Sequence, residues 1–258
     1  MQRWRFNAAL LVLSAFQACV AAEQTLRLAT LEYPPYISQT QEGPRGLAVE
    51  IASQALARIG RTVKIDFYPI ARGQRMVLTG EVDAYFSIKK TAERERTMVF
   101  PNTPLMRQDY VFFTPAKSRW RFDGGFESIA GARIGIVNAT SYGSRFDSAV
   151  ASGTFRKLEA VSDHETNFRK LLAHRIDAVI CSRLVGAYYL KKLNGAHAVM
   201  VNGPTVETTL SYLVFARNES GIALARQFDQ AMDEMARDGT IGRLTAAYPT
   251  LDSDDPRR

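Results

Sequence analysis

Leu78-Thr79-Gly80-Glu81-Val82-Asp83-Ala84 and Leu172-Ala173-His174-Arg175-Ile176-Asp177-Ala178 are two versions of one local pattern. In each, an apolar segment stops at a polar break and an aspartate leads into the next apolar run, which reads as a helix-to-strand turn. The two aspartates are assigned to that turn and not to ligand binding. Before the first copy, residues 26–30 place apolar side chains at every second position, as a half-buried strand does. Residues 46–59 follow as a helix, with Leu47, Ile51, Ala55 and Ile59 on one face, Glu50, Gln54 and Arg58 on another, and Gly60 as the stop. A strand at 63–67, a helix at 72–79 and a strand at 83–88 complete a βαβαβ unit. Around the second copy the same order recurs: strand 133–137, helix 142–151, strand 156–161, helix 165–174, strand 177–180 and helix 183–193. The fold class is α/β, built as two such units.

Between the units lies the apolar run 110–115, and a further strand is expected at 210–216. Leu224, Phe228, Ala231, Met232 and Met235 then mark a long amphipathic helix that must dock on a core. If it returns to the first lobe, the chain crosses between lobes twice, near Thr114 and near Ser211, and two crossings make a hinge. The expected division is residues 1–22 as a signal peptide, 23–113 and 212–250 as the first lobe, 114–211 as the second, and 251–258 as a charged tail.

The signal peptide rests on Arg3 and Arg5, an apolar stretch at 8–16 and the small residues Val20-Ala21-Ala22. A lipoprotein site at Cys19 is the lesser alternative, since Phe16 stands where such sites usually carry leucine. Removing 22 residues leaves 236, enough for two lobes, and lowers the formal net charge from +7 to +5. The remaining basic residues are interspersed with acids, which argues against nucleic acid as a partner. Only Cys181 survives processing, so no intrachain disulfide is available, and it reads as a small buried residue. His164, His174 and His197 lack metal-ligand spacing and are taken as surface histidines, and no cofactor is implied.

Several segments together carry a family resemblance: Glu32-Tyr33-Pro34-Pro35-Tyr36, Gly46-Leu47-Ala48-Val49-Glu50-Ile51, Pro69-Ile70-Ala71-Arg72, Thr91-Ala92-Glu93-Arg94-Glu95-Arg96 and Asp238-Gly239-Thr240-Ile241. In this order and spacing the chain resembles the bacterial extracellular solute-binding proteins of the polar-amino-acid type. The resemblance implies a two-lobed periplasmic-binding-protein fold with mostly parallel sheets and a double-crossover hinge. It also implies a periplasmic monomer that captures a small solute for an inner-membrane ABC permease.

By the same resemblance Arg94 matches the arginine that grips a ligand carboxylate, for which its planar fork is suited. Ser87 matches a hydrogen-bonding position, and Thr140 and Ser141 stand in a turn whose N–H and hydroxyl groups meet the carboxylate, with Ala139 in place of the usual glycine. Tyr33 and Tyr36 offer stacking faces in the loop after the first strand. Glu32 either meets a ligand cation or holds Arg72, and Arg72 either points into the cleft or lies on the surface. Two departures alter the expected cargo. Lys89 replaces a small hydroxylated residue, and Ser182 stands where relatives have an acid for the ligand ammonium. Losing an acid and gaining a base favours an organic acid, or an amino-acid-like solute whose ammonium meets Glu32; Lys89 pointing outward is the alternative. Rival readings are a periplasmic enzyme on this scaffold, such as a dehydratase, which needs a cleft acid, and a sensor or accessory protein without a transport role.

Overall fold

The chain is described from residue 24 to residue 248 in a computed structural model. The expected signal peptide, Cys19 and charged tail lie outside these residues. Strand β1 (Gln24–Thr30) buries Leu26 and Leu28 and exposes Arg27 between them. A short hairpin of β2 (Ser38–Thr40) and β3 (Gly43–Arg45) leads to α1 (Leu47–Arg58), which buries Leu47, Ile51 and Ala55 as its periodicity requires. Then come β4 (Arg61–Phe67), α2 (Ile70–Thr79), β5 (Ala84–Lys89), α3 (Ala92–Thr97), β6 (Met98–Val99) and β7 (Met106–Pro115). The second unit runs through β8 (Arg133–Val137), α4 (Ser144–Ala151), β9 (Lys157–Val161), α5 (His164–Leu172), β10 (Ala178–Ser182) and α6 (Arg183–Lys192). It is followed by β11 (Val199–Ala216), α7 (Glu219–Arg237) and α8 (Thr240–Ala246).

One continuous sheet runs β4-β1-β5-β11-β7-β10-β8-β9, with β6 also paired to β11. The triplets β4-β1-β5 and β10-β8-β9 are parallel, and the antiparallel strands β11 and β7 join them. The repeated aspartates do the same structural job in each triplet. Asp83 accepts the Arg27 N–H at 2.8 Å, and Asp177 accepts the Arg133 N–H at 2.8 Å while also pairing with that arginine's guanidinium. Each thereby fastens the start of one strand to its parallel neighbour, as the turn reading requires.

Helix α7 buries Leu224, Phe228, Ala231, Met232 and Met235 and packs on α1 and β11. Asp229 clamps the opposite loop by accepting from the Asn102 and Thr103 N–H groups at 2.9 and 2.8 Å. Strand pairing changes partners near the expected crossing at Thr114. β7 already pairs with β10 through Tyr110–Phe113, and Thr114 pairs with Met200, so the exchange of partners lies before Tyr110. Ser211, by contrast, pairs with both Met106 and Lys89, at the border of the first lobe. Strands β7 and β11 are also longer than their apolar runs, because polar residues such as Gln108, Asp109, Thr208 and Thr209 continue the pairing. Among the described residues no helix is long and apolar enough to cross a membrane.

Candidate functional site

Open parallel sheets bind ligands outside the carboxyl ends of their strands, and there the two triplets face each other. The end of β5 and the Thr91-capped helix α3 supply Ser87, Lys89 and Arg94. The turn after β8 supplies Ala139, Thr140 and Ser141, and the start of α5 supplies His164. Tyr33 follows β1 and Tyr110 lies on β7. All of these line one narrow cleft, together with Leu31, Ile70, Gln74, Tyr85 and Ile88. Its free volume is about 20 Å³, close to the room needed for a single water.

One carbonyl receives two donors from across this cleft. Arg94 donates to Ala139 O at 2.8 Å and to Lys89 O at 3.0 Å, and Gln74 donates to the same Ala139 O at 3.1 Å. Ala139 has φ of 57°, so the left-handed turn favoured by glycine is kept by alanine. Ser87 also has a positive φ, 71°, a strained backbone at the point where β5 turns towards the cleft.

Lys89 points inward and is 8 % exposed. Its ammonium donates to the Tyr110 hydroxyl at 2.6 Å and lies 4.3 Å from the centre of that ring. Tyr110 in turn shares a 2.7 Å hydrogen bond with Tyr33. Burial, and then the nearby Arg94 charge, pull the Lys89 pKa down from 10.5 to about 7. Ser141 is held by Asp147, which also accepts the Tyr142 N–H at 3.0 Å. Thr140 Oγ1, Tyr85 Oη and His164 Nε2 are buried in the cleft without a hydrogen-bond partner in the protein. Unsatisfied buried groups of this kind cost roughly 1–3 kcal/mol each, and a bound solute is one way to recover it.

Six of the ten sequence-derived residues therefore meet: Arg94, Lys89, Ser87, Tyr33, Thr140 and Ser141. The other four do not line this cleft. Glu32 accepts the Gln39 N–H at 2.7 Å and closes its own loop, and Arg72 is exposed with its guanidinium 5.1 Å from the centre of the Tyr68 ring. Tyr36 stacks behind Tyr33 with centroids 5.8 Å apart, and its hydroxyl lies beside Ser182 at the start of α6.

His164 corrects the expectation of surface histidines, although His174 and His197 are indeed exposed. It is 3 % exposed, its Nδ1 is 3.5 Å from the buried Cys181 sulfur, and its ring is 5.3 Å from Tyr33. Burial, followed by the Lys89 charge, lowers its pKa to about 4, so it is neutral at physiological pH. The signal available in the sequence was its place: it opens a helix directly after a strand, as Ile70 does in the first unit. Among the described residues no His/Cys/Asp/Glu group is arranged to hold a metal ion.

No curated protein sequence matches this chain. Among solved structures, an ancestral arginine-binding protein bound to arginine superposes with a TM-score of 0.76 at 19 % identity, over 87 % of this chain and 98 % of that one. A histidine kinase sensor domain with similarity to periplasmic binding proteins gives 0.77 at 17 %, over 87 % and 96 %. The substrate-binding protein of an amino acid ABC transporter gives 0.72 at 18 %, over 85 % and 96 %. At such identities these likenesses establish the fold alone. Residues 26–250 match the bacterial extracellular solute-binding proteins, family 3, and this chain belongs to that ligand-binding family.

Proposed function

We propose that this protein captures a small carboxylate-bearing solute between its lobes in the periplasm and delivers it to an inner-membrane ABC permease. The first lobe combines the chain before Tyr110 with the segment from about Ser211 onward, and the second lies between. The observation that carries this reading is the charge of the cleft: Arg94 and Lys89 line it with Thr140, and no Asp or Glu does. A carboxylate here would take Arg94 donors now given to Ala139 O and Lys89 O, and its charge offsets the buried Lys89 and the half-buried Arg94. Because Glu32 lies off this cleft and Ser182 stands in place of an acid, an α-ammonium beside the carboxylate finds no acid there. An organic acid is therefore favoured over an ordinary α-amino acid.

The same features speak against an enzyme of the dehydratase kind. A dehydratase that uses a cleft carboxylic acid finds none here, since Glu32 lies off the cleft, and Lys89 is the one remaining acid such chemistry would have to use. Calorimetric titration with a panel of monocarboxylates, dicarboxylates and amino acids tests the proposal, with Arg94→Ala expected to weaken the best carboxylate about 30-fold or more. A preference for cationic, carboxylate-free solutes, or unchanged affinity in the variant, would overturn it.

A further inference from the structure

A second cavity, about 290 Å³ in volume, adjoins the cleft and shares Leu31, Ile70 and His164 with it. Its walls are largely apolar, with Phe67 and Tyr68 from the first lobe facing the start of α5 in the second. Its charged lining residues are Glu32 and Asp163, opposite in sign to Lys89 and Arg94 in the cleft. The two neighbouring cavities thus place cations on one side of the shared Leu31, Ile70 and His164 and the exposed carboxylates of Glu32 and Asp163 on the other.

Each part of this space has its own support. At the waist, His164 lines both cavities with Nε2 unpartnered and carries no charge that would repel either end of a solute. At the anionic end Asp163 caps α5, accepting from Thr166 N at 2.8 Å and Thr166 Oγ1 at 2.9 Å. Glu32 is exposed at the cavity's rim; desolvation by its local surroundings raises its pKa, with the Gln39 N–H and the Lys192 charge opposing.

We infer that the solute is an ω-cationic carboxylate: its carboxylate lies on Arg94 and Lys89, a linker lies against Ile70 and Tyr68, and an ammonium or guanidinium reaches Glu32 and Asp163. This inference rests on the carboxylate reading above and adds the far end of the molecule. It differs from recognition of an α-amino acid, where both charges sit on one carbon.

The test compares 4-aminobutanoate, 5-aminopentanoate and 6-aminohexanoate with butanoate, pentanoate and hexanoate by calorimetry on the mature protein. At the best length the amino acid should bind about tenfold or more tightly than its parent acid. Glu32→Gln and Asp163→Asn should each erase most of that preference and leave the parent acid within about twofold, because Gln still accepts from Gln39 N–H and Asn still caps a helix. Equal binding of amino and parent acids at every length, or loss of both in the two variants, overturns the inference. If that happens while Arg94→Ala still abolishes binding, the carboxylate reading stands and only the ω-cation falls. If Arg94→Ala changes nothing, both fall.

Discussion

Replacing Lys89 with methionine should make the protein more stable and less able to bind. Folding moves the Lys89 ammonium from water to a site where its pKa falls from 10.5 to about 7. At 1.36 kcal/mol per pH unit, that corresponds to at most about 5 kcal/mol against the charged form in the folded state. Burial and Arg94 set the direction, with Asp147, Cys181 and Glu207 opposing. Methionine has a similar length and no charge, and swaps of this kind at buried ions stabilise by about 1–4 kcal/mol. Tyr110 keeps its bond to Tyr33 in the variant.

The sign of the pH dependence follows from linkage. Below the folded pKa of about 7 lysine is protonated in both states, and the parent bears the full penalty. Between that value and 10.5 the unfolded chain holds the extra proton, so parent stability rises with pH and the variant's advantage shrinks. Urea denaturation of both proteins at about pH 6, 8 and 10 reads this directly, each 1 kcal/mol appearing as roughly 2–4 °C in a parallel melt. A variant less stable than the parent at the lowest pH, or a difference that does not change with pH, would refute the reasoning. Carboxylate affinity measured on the same samples should fall as stability rises.

Three further outcomes are expected. His164 is neutral in the fold down to a pKa of about 4, against 6.5 when free, so its contribution is present above 6.5 and is lost as pH falls through 4. His164→Gln should flatten the acid limb of a plot of urea midpoint against pH; an unchanged limb would place the acid sensitivity elsewhere. Gln74→Ala removes one of the two donors to Ala139 O, worth about 1 kcal/mol to the closed arrangement, so ligand-free scattering should show a larger radius of gyration than the parent. An identical profile would mean that the Gln74 bond does not hold the lobes together, leaving that to Arg94, Lys89 and Tyr33. Gly186→Ala sets a Cβ 2.2 Å from Phe113, whose ring is pinned edge-on against Phe168, and should lower stability by about 1–3 kcal/mol in the same urea assay.

The sequence announced the strands and helices of both units because burial on one face imposes a period, and Leu26, Leu28, Leu47, Ile51 and Ala55 are buried as that period requires. It understated β7 and β11, where Gln108 meets Ser211 and Asp109 meets Thr208 side chain to side chain. There the strand is held by pairing rather than by burial, and the apolar alternation lapses. In the site, Arg94 and Thr140 were legible through the family resemblance, which the Thr91–Arg94 spacing and the turn before the second-unit helix carry. Tyr85, Tyr110 and His164 were not, since a buried aromatic ring looks the same in sequence whether it packs a core or lines a cleft. Glu32 was open between a ligand cation and Arg72, and neither is the partner it has here. The backbone N–H of Gln39 takes it, and no pattern of side chains reveals such a bond.

β11 belongs to both lobes, pairing with β5 at one end and with β7 along the rest. A hinge made of loose loops would let the lobes swing at no energetic penalty, whereas two hydrogen-bonded strands resist bending and return when released. Opening would have to twist the β7–β11 ribbon, which gives the connection the character of a torsion spring. The same ribbon couples the lobes mechanically, so strain placed on one by an arriving solute is felt by the other without any contact across the cleft.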